Sequence, residues 1–284
     1  MRLTRLALLN RALLLCIIAV GGQLAMAQTT APATSQAPTP ADNRVRATEV
    51  QVDATIPDDP AVNKMLEVYS PKVRALDSLI GKLKGDLRKG GAGAGSMGNF
   101  VTDALRAESA RKLGAPIVLA VTNAGGLRKT VIAEGDIKVR DVFELLPFEN
   151  ALVAFDLTGA QVLDLLRTVV LRRDAQSGAR IKYRTNAEKR LELETARLLV
   201  DGQEKEIDPA TTYTVVSIDY LLNVAGGDYG AILKQAKNIR PLGLTMRDAV
   251  TNYIKSETAA GREIKASLDS RFMTEGAVEE MPND

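Results

Sequence analysis

The spacing of apolar residues predicts an α/β chain of the mixed α+β kind, a layered domain with mixed β-sheets flanked by helices. Three observations lead there. Helical and strand-like periods alternate through the middle of the chain, which calls for crossover connections. One pair of strand-like runs, Leu191–Val200 and Glu204–Ile207, meets across Asp201-Gly202, which calls for a hairpin. At 45% hydrophobic residues, the chain has enough apolar mass to fill a core behind both.

Taken in order, the first 27 residues stand apart. Arg2, Arg5 and Arg11 precede the apolar run Ala12–Val20, and Ala25-Met26-Ala27 supplies small residues where a peptidase cuts. Residues 1–27 are read as a signal peptide, so a secreted or periplasmic protein with no membrane attachment after cleavage is expected. The apolar run is short for a bilayer span. Cys16, the one cysteine, lies in this leader, so the mature chain is expected to hold no disulfide and no thiol nucleophile. Losing the leader removes three of the 37 basic residues and no acidic ones, leaving 34 against 35. Such a balance offers no electrostatic footprint for nucleic acid.

Residues 28–43 are rich in Thr, Ala, Pro and Ser and read as a disordered linker. A domain over 44–273 and an acidic tail over 274–284 complete the organisation. A helix starts after Asp59 with Pro60 in its first position. Val62, Met65, Leu66 and Tyr69 share one of its faces. Pro71 kinks or ends it, and Val73, Leu76, Leu79, Ile80 and Leu83 continue the apolar spacing. Gly90–Gly98 lacks the Gly-Lys-Ser/Thr ending of a phosphate-binding loop and reads as a flexible connection. Asn99–Leu113 reads as a helix closed by Gly114. Pro116–Val121 is a continuous apolar run, suited to a strand buried on both faces. Val139–Leu145 is a short helix ended near Pro147, and Ala151–Leu157 alternates like a strand. Thr158 caps a helix through about Val170, with Val162, Leu165, Leu166 and Val169 facing inward. After the hairpin comes the strand Tyr213–Ile218. A helix then starts near Tyr229, another runs Thr245–Glu257, and a final strand is expected near Ile264.

The chemistry is bounded by absence, because the sequence contains no histidine. The commonest metal ligands and general bases are therefore missing. The adjacent carboxylates Asp58-Asp59 and Glu279-Glu280 fall in turn or tail positions. No catalytic residue, metal site or cofactor is expected in this chain.

Three short strings do carry a chemical suggestion. In NAGGLR, Asn123–Arg128, glycines let backbone N–H groups approach a ligand, and Arg128 leaves a buried strand where a guanidinium can grip phosphate oxygens. The alternative is an ordinary turn with a solvated Arg. In LPFEN, Leu146–Asn150, Phe148 lies between a proline turn and polar Glu149 and Asn150. It is either a stacking surface for a base or a core residue. In GGDYG, Gly226–Gly230, Asp228 suits the hydroxyls of a sugar, with Gly226 and Gly227 beside it, or is simply a helix cap.

In order and spacing these strings resemble the C-terminal domain of the 5'-nucleotidase and UDP-sugar hydrolase family. The likeness runs from about Val50 to Phe272 and includes MGNFVTDALR at Met97–Arg106, GDIKVRDVFELLPFEN at Gly135–Asn150, DLTGAQVLDLL at Asp156–Leu166, and DPATTYTVVSIDYLLNVAGGDYG at Asp208–Gly230. The resemblance implies that Phe148 stacks on a base and Asn150 bonds its edge. It implies that Asn123 and Arg128 line the base, ribose and phosphate region, and that Asp228 binds ribose hydroxyls. In the family this domain selects the substrate, and a separate metallophosphatase domain with two metal ions cleaves it. The expectation is a nucleotide- or nucleoside-recognition domain that supports 5'-nucleotide hydrolysis with a metallophosphatase made as another chain, the metal ions residing on that partner. A stand-alone binding module and a degenerate scaffold are the rivals.

Three departures bear on that choice. The family's second stacking aromatic falls at Leu222, and Tyr220, sharing a strand face with it, is a candidate replacement. The family's phosphate-side Arg and Glu fall within Gly93-Ala94. GGDYG inverts the family's usual order of glycine and tyrosine after the Asp. A one-sided stack with Arg and Asp contacts implies micromolar to millimolar affinity, on the order of 4–8 kcal/mol.

Overall fold

The computed structural model describes residues 48–223 and 227–274. The leader, the linker, the tail beyond Thr274 and Gly226 lie outside the described residues. Residues 48–57, the described part of the first compact unit, contain no helix or strand, and the second unit begins at Asp58. It runs through α1 (Pro60–Leu66), α2 (Ser70–Ala75), β1 (Leu79–Lys84), β2 (Leu87–Arg88), α3 (Gly95–Leu113), β3 (Leu119–Thr122), β4 (Val131–Ile132), β5 (Gly135–Lys138), α4 (Val139–Leu145), β6 (Ala151–Thr158) and α5 (Gly159–Arg172). It continues with β7 (Ala175–Ser177), β8 (Ala179–Thr185), β9 (Leu191–Val200), β10 (Gln203–Glu206), β11 (Thr212–Ile218), α6 (Asp219–Asn223), α7 (Gly230–Leu233), β12 (Lys237–Thr245), α8 (Met246–Ala259), β13 (Ile264–Lys265) and β14 (Phe272–Thr274).

Local chemistry sets the helix starts. Asp59 accepts the Ala61 N–H at 2.7 Å, and Pro60 follows it. Thr158 and Gln161 form a capping box on α5, and Thr245 and Asp248 form one on α8. Gly114 closes α3 in the left-handed region at φ +67°. The hairpin β9–β10 turns through Asp201 at φ +54° and Gly202 at φ +75°, with Val200 opposite Gln203.

The sheets are mixed, as the connections predicted. The central one has five strands in the order β12-β6-β11-β3-β7, in which only β11 and β3 run parallel. Consecutive Leu152, Val153, Ala154 and Phe155 on β6 are all buried, so both faces of this strand are covered. Helix α3 packs on β7, β3 and α8, and α5 packs on β9 and β6. A four-stranded sheet, β10-β9-β8-β14, and a three-stranded one, β13-β1-β5, complete the layers with the β2–β4 pair.

Two expectations are corrected. The apolar spacing after Pro71 continues as helix only through Val73 to Ala75 in α2, whereas Leu79, Ile80 and Leu83 belong to β1, which pairs with β5 and β13. A three-to-four spacing and an alternation coincide over these few residues, and pairing with two neighbours decides between them. The shared face of Val62, Met65 and Tyr69 is exposed. The glycine stretch is a built turn rather than a loose connection. Gly93 at φ +73° lies against the Phe272 ring, and a Cβ on Gly98 would overlap the Gly93 carbonyl oxygen.

Candidate functional site

Topology brings NAGGLR, LPFEN and the start of α6 toward one end of the central sheet. β3 and β11 are parallel, so Asn123 and Tyr220 leave from their C-terminal ends. β6 is antiparallel to β11, with Leu152 opposite Ile218, so the segment ahead of Ala151 arrives at that same end. Open α/β sheets place ligands beyond the carboxyl ends of strands for this reason. Backbone bonds then fix the segments to one another. The Arg128 N–H donates to the Leu145 carbonyl at 2.8 Å, the Met246 N–H to Asn150 O at 2.8 Å, and the Ala151 N–H to Asp219 Oδ1 at 3.1 Å.

Between these segments lies a cavity of about 320 Å³, lined by Asn123, Gly125, Gly126, Arg128, Phe148, Asn150 and Tyr220. Phe148 is 48% exposed and Tyr220 is 52% exposed, so neither ring is a core residue. The Arg128 guanidinium donates to Gly125 O at 3.3 Å and lies 5.8 Å from the Phe148 ring centroid. Asn123 Oδ1 is buried at the cavity wall and accepts no hydrogen bond from the described residues. A buried acceptor without a donor is costly, and a ligand N–H or O–H would relieve it.

Tyr220 and Leu222 do not share a strand face. They lie on α6, where successive residues rotate by about 100° and residues two apart point to nearly opposite sides. Tyr220 consequently lines the cavity while Leu222 packs against the core. Asp228 and Gly227 are not among the lining residues. The Asp228 carboxylate accepts from Arg172 Nη1 at 3.1 Å, and it is linked to the NAGGLR turn only through Arg172 and Asp174.

Three residues around the site, Arg247, Arg172 and Asp174, carry no local sequence signal, and Tyr229 of GGDYG joins them. Arg247, at the start of α8, donates from Nε to Leu146 O at 3.0 Å and from Nη2 to Pro147 O at 2.9 Å. Its guanidinium carbon lies 3.8 Å from the Phe143 ring centroid. The loop that presents Phe148 is thereby clamped from outside. Asp174, Arg172 and Tyr229 form a second support. The buried Asp174 carboxylate accepts the Ala124 N–H and the Tyr229 hydroxyl, each at 2.7 Å. Burial pushes the Asp174 carboxyl above its ordinary range although these partners favour the charged form. Burial and the neighbouring carboxylate also push the Tyr229 hydroxyl far up, so it stays a donor.

The dinuclear metal centre that the resemblance implies belongs to a separate metallophosphatase domain. Among the described residues no group of three or more His, Cys, Asp or Glu is placed to hold a metal ion. No hydrolytic step is assigned to this chain.

Comparison with known proteins gives the same family as the motifs. The model of the 5'-nucleotidase C-terminal domain matches residues 76–235, more than half of the chain. Similar proteins include the trifunctional nucleotide phosphoesterase protein YfkN of Bacillus subtilis, 28% identical over 185 residues, covering 62% of this chain and 12% of that protein. Protein UshA of Escherichia coli is 33% identical over 109 residues, covering 38% of this chain and 19% of its own length. The crystal structure of a 5'-nucleotidase precursor from Thermus thermophilus is 26% identical with a TM-score of 0.62, covering 77% of this chain and 44% of that one. The chain spans less than half the length of each of these relatives. Its matched region, mixed sheets and ordered motifs agree: the chain belongs to the family of 5'-nucleotidase C-terminal domains.

Proposed function

We propose that this protein recognises nucleosides and 5'-nucleotides outside the cytoplasm and supplies that recognition to a metallophosphatase made as a separate chain. The observation that carries the reading is the convergence of two exposed rings, a cation and an unpartnered acceptor on one cavity. Phe148 and Tyr220 offer apolar faces for a base. Asn123 Oδ1 and Asn150 offer polar contacts to its edge. Arg128 forms no ion pair among the described residues and suits a phosphate. Asp228, linked to the turn through Arg172 and Asp174, suits the sugar hydroxyls. The lack of histidine favours a partner for the bond-breaking step. Export rests on the leader read in residues 1–27.

The test has two stages. Purified protein is titrated with AMP and with adenosine by calorimetry and thermal melting. A ligand at a hundred times its Kd raises stability by about 2.7 kcal/mol. Binding in the micromolar to millimolar range supports recognition, and the absence of stabilisation by any nucleoside or nucleotide sinks it. Mixing with candidate metallophosphatases then tests the partnership by phosphate release from AMP. Binding without stimulation of any partner leaves a stand-alone binding module.

A further inference from the structure

The second support of the cavity is built on one buried carboxylate. Asp174 lies between α5 and β7 and is 3% exposed. Three segments distant in sequence meet on it. Ala124, inside the NAGGLR turn, donates its N–H to Oδ1 at 2.7 Å. Tyr229 donates its hydroxyl to Oδ2 at 2.7 Å, and Arg172 Nε lies 3.4 Å from that same oxygen. Arg172 reaches onward, with Nη1 donating to Asp228 Oδ2 at 3.1 Å and the guanidinium carbon 5.8 Å from the Tyr229 ring centroid. The other Asp228 oxygen accepts no hydrogen bond among the described residues, and the side chain is 47% exposed. One carboxylate thus ties the turn that carries Asn123 and Arg128 to the loop that carries Asp228.

The energetics argue against a purely stabilising role. An ionised carboxylate loses its hydration when buried, and here burial outweighs the partners and holds the pKa above the ordinary value. A carboxyl whose folded pKa is raised favours folding below its unfolded pKa and loses that advantage as pH rises through the folded value. Ionised Asp174 therefore stabilises the fold less than its protonated form does. Groups kept at such a cost cluster at functional sites.

We propose that Asp174 and Arg172 are positioning residues for sugar recognition. Asp174 fixes the guanidinium of Arg172. Arg172 holds one oxygen of Asp228 and leaves the other free to accept from a ribose hydroxyl. The ligand class this selects is a nucleoside or nucleotide with its sugar hydroxyls intact, in preference to a free base. The inference rests on the recognition reading above, and its test separates the two.

The experiment measures the affinities of adenosine and adenine for the full protein, Arg172→Gln, Asp174→Asn and Asp228→Asn. The wild type should prefer adenosine. Exposed charge pairs are worth at most about 1 kcal/mol, so the preference should fall measurably, by up to about five-fold, in Arg172→Gln. Asp174→Asn should lose at least as much and melt no lower than wild type at neutral pH. Adenine affinity should stay unchanged in all three. Combining Arg172→Gln with Asp228→Asn should add nothing to the single losses. Variants that keep the wild-type preference, or that lose adenosine and adenine equally, overturn the positioning role and leave recognition standing. A wild type that binds both ligands without preference does the same. A wild type that binds neither overturns recognition and this inference together. Should Asp174→Asn fail to fold, Arg172→Gln at a half-exposed position decides alone.

Discussion

Replacing Phe148 by alanine should weaken adenosine binding at a moderate cost to the fold. The ring is 48% exposed, so its truncation removes about half of what a fully buried ring would lose. Complete burial of a Phe side chain is worth about 1.5–3 kcal/mol, and a half-exposed ring supplies roughly half of that. In a domain of this size each kcal/mol moves the melting midpoint by about 2–4 °C. The neighbouring Arg128 guanidinium adds about 0.5–1 kcal/mol at an exposed position. A base stacked on the ring is worth about 1–3 kcal/mol, or about 5- to 150-fold in affinity. Calorimetry with adenosine reads that loss, and melting of the ligand-free variant reads the fold. Tyr220→Ala should behave likewise, because Tyr220 is 52% exposed and lines the same cavity. If both rings touch one base, the double variant should lose less than the sum of the singles, because the base reorients once either face is gone. Unchanged affinity in both single variants would refute the stacking argument, and so would an affinity loss that only tracks a fall in melting temperature.

Other perturbations test the supports. Arg247→Ala removes two hydrogen bonds to the Phe148 loop and a guanidinium stacked on Phe143, so adenosine affinity should fall by about 1–2 kcal/mol, measured by calorimetry. Arg247→Lys should restore little of it, since an ammonium cannot fork between two carbonyls. Arg271→Met should cost about 1.5–3 kcal/mol of stability in thermal denaturation. Arg271 is 8% exposed, is bidentate to Asp103 at 2.9 Å and bonds Asp269 at 2.8 Å, so its loss removes charged hydrogen bonds from two part-exposed carboxylates, of which Asp269 keeps Arg180. Acid should destabilise the protein partly through Asp156. Burial alone would raise its pKa, but Asn238, Thr214 and Arg240 together hold it below the ordinary range. A depressed folded pKa gives stability that is present above the unfolded value, near 3.9, and is lost as pH falls through the folded one. Asp156→Asn should therefore flatten the melting-temperature profile below about pH 4.

The elements legible in the sequence are those whose signals are local. Helix α4, Val139–Leu145, was expected residue for residue, and Thr158 and Thr245 marked the starts of α5 and α8. The hairpin turned where an Asp-Gly pair allows two residues at positive φ. Strand β12 was not legible because Pro241 sits within it, which argues against a central strand. It occupies the edge of the five-stranded sheet, where a missing N–H is tolerated. Strand β8 alternates Ile181 and Tyr183 with Arg180, Lys182 and Arg184, a readable period of two that went unassigned. Strand β1 shows the opposite failure, since a short apolar run cannot specify its own partner and β5 decides it.

The candidate site divides along the same physical line. Asn123, Arg128, Phe148 and Asn150 were readable because the fold needs glycine or proline to turn the chain at strand ends, and turns there expose the next polar or aromatic group. Tyr220 was readable as an aromatic near the site but not in its direction, which depends on whether residues 219–223 coil or extend. The supports were not readable at all. Arg247 acts on Leu146 and Pro147 about a hundred residues away. Asp174 is linked to Ala124 across 50 residues and to Tyr229 across 55. Nothing in the residues flanking an isolated Arg or Asp encodes such a partner. The cavity-lining groups sit on turns with narrow backbone demands, which leave a local signal. The groups that hold those turns in place depend only on where the fold delivers them, so they are found by asking which buried charge the core has no use for.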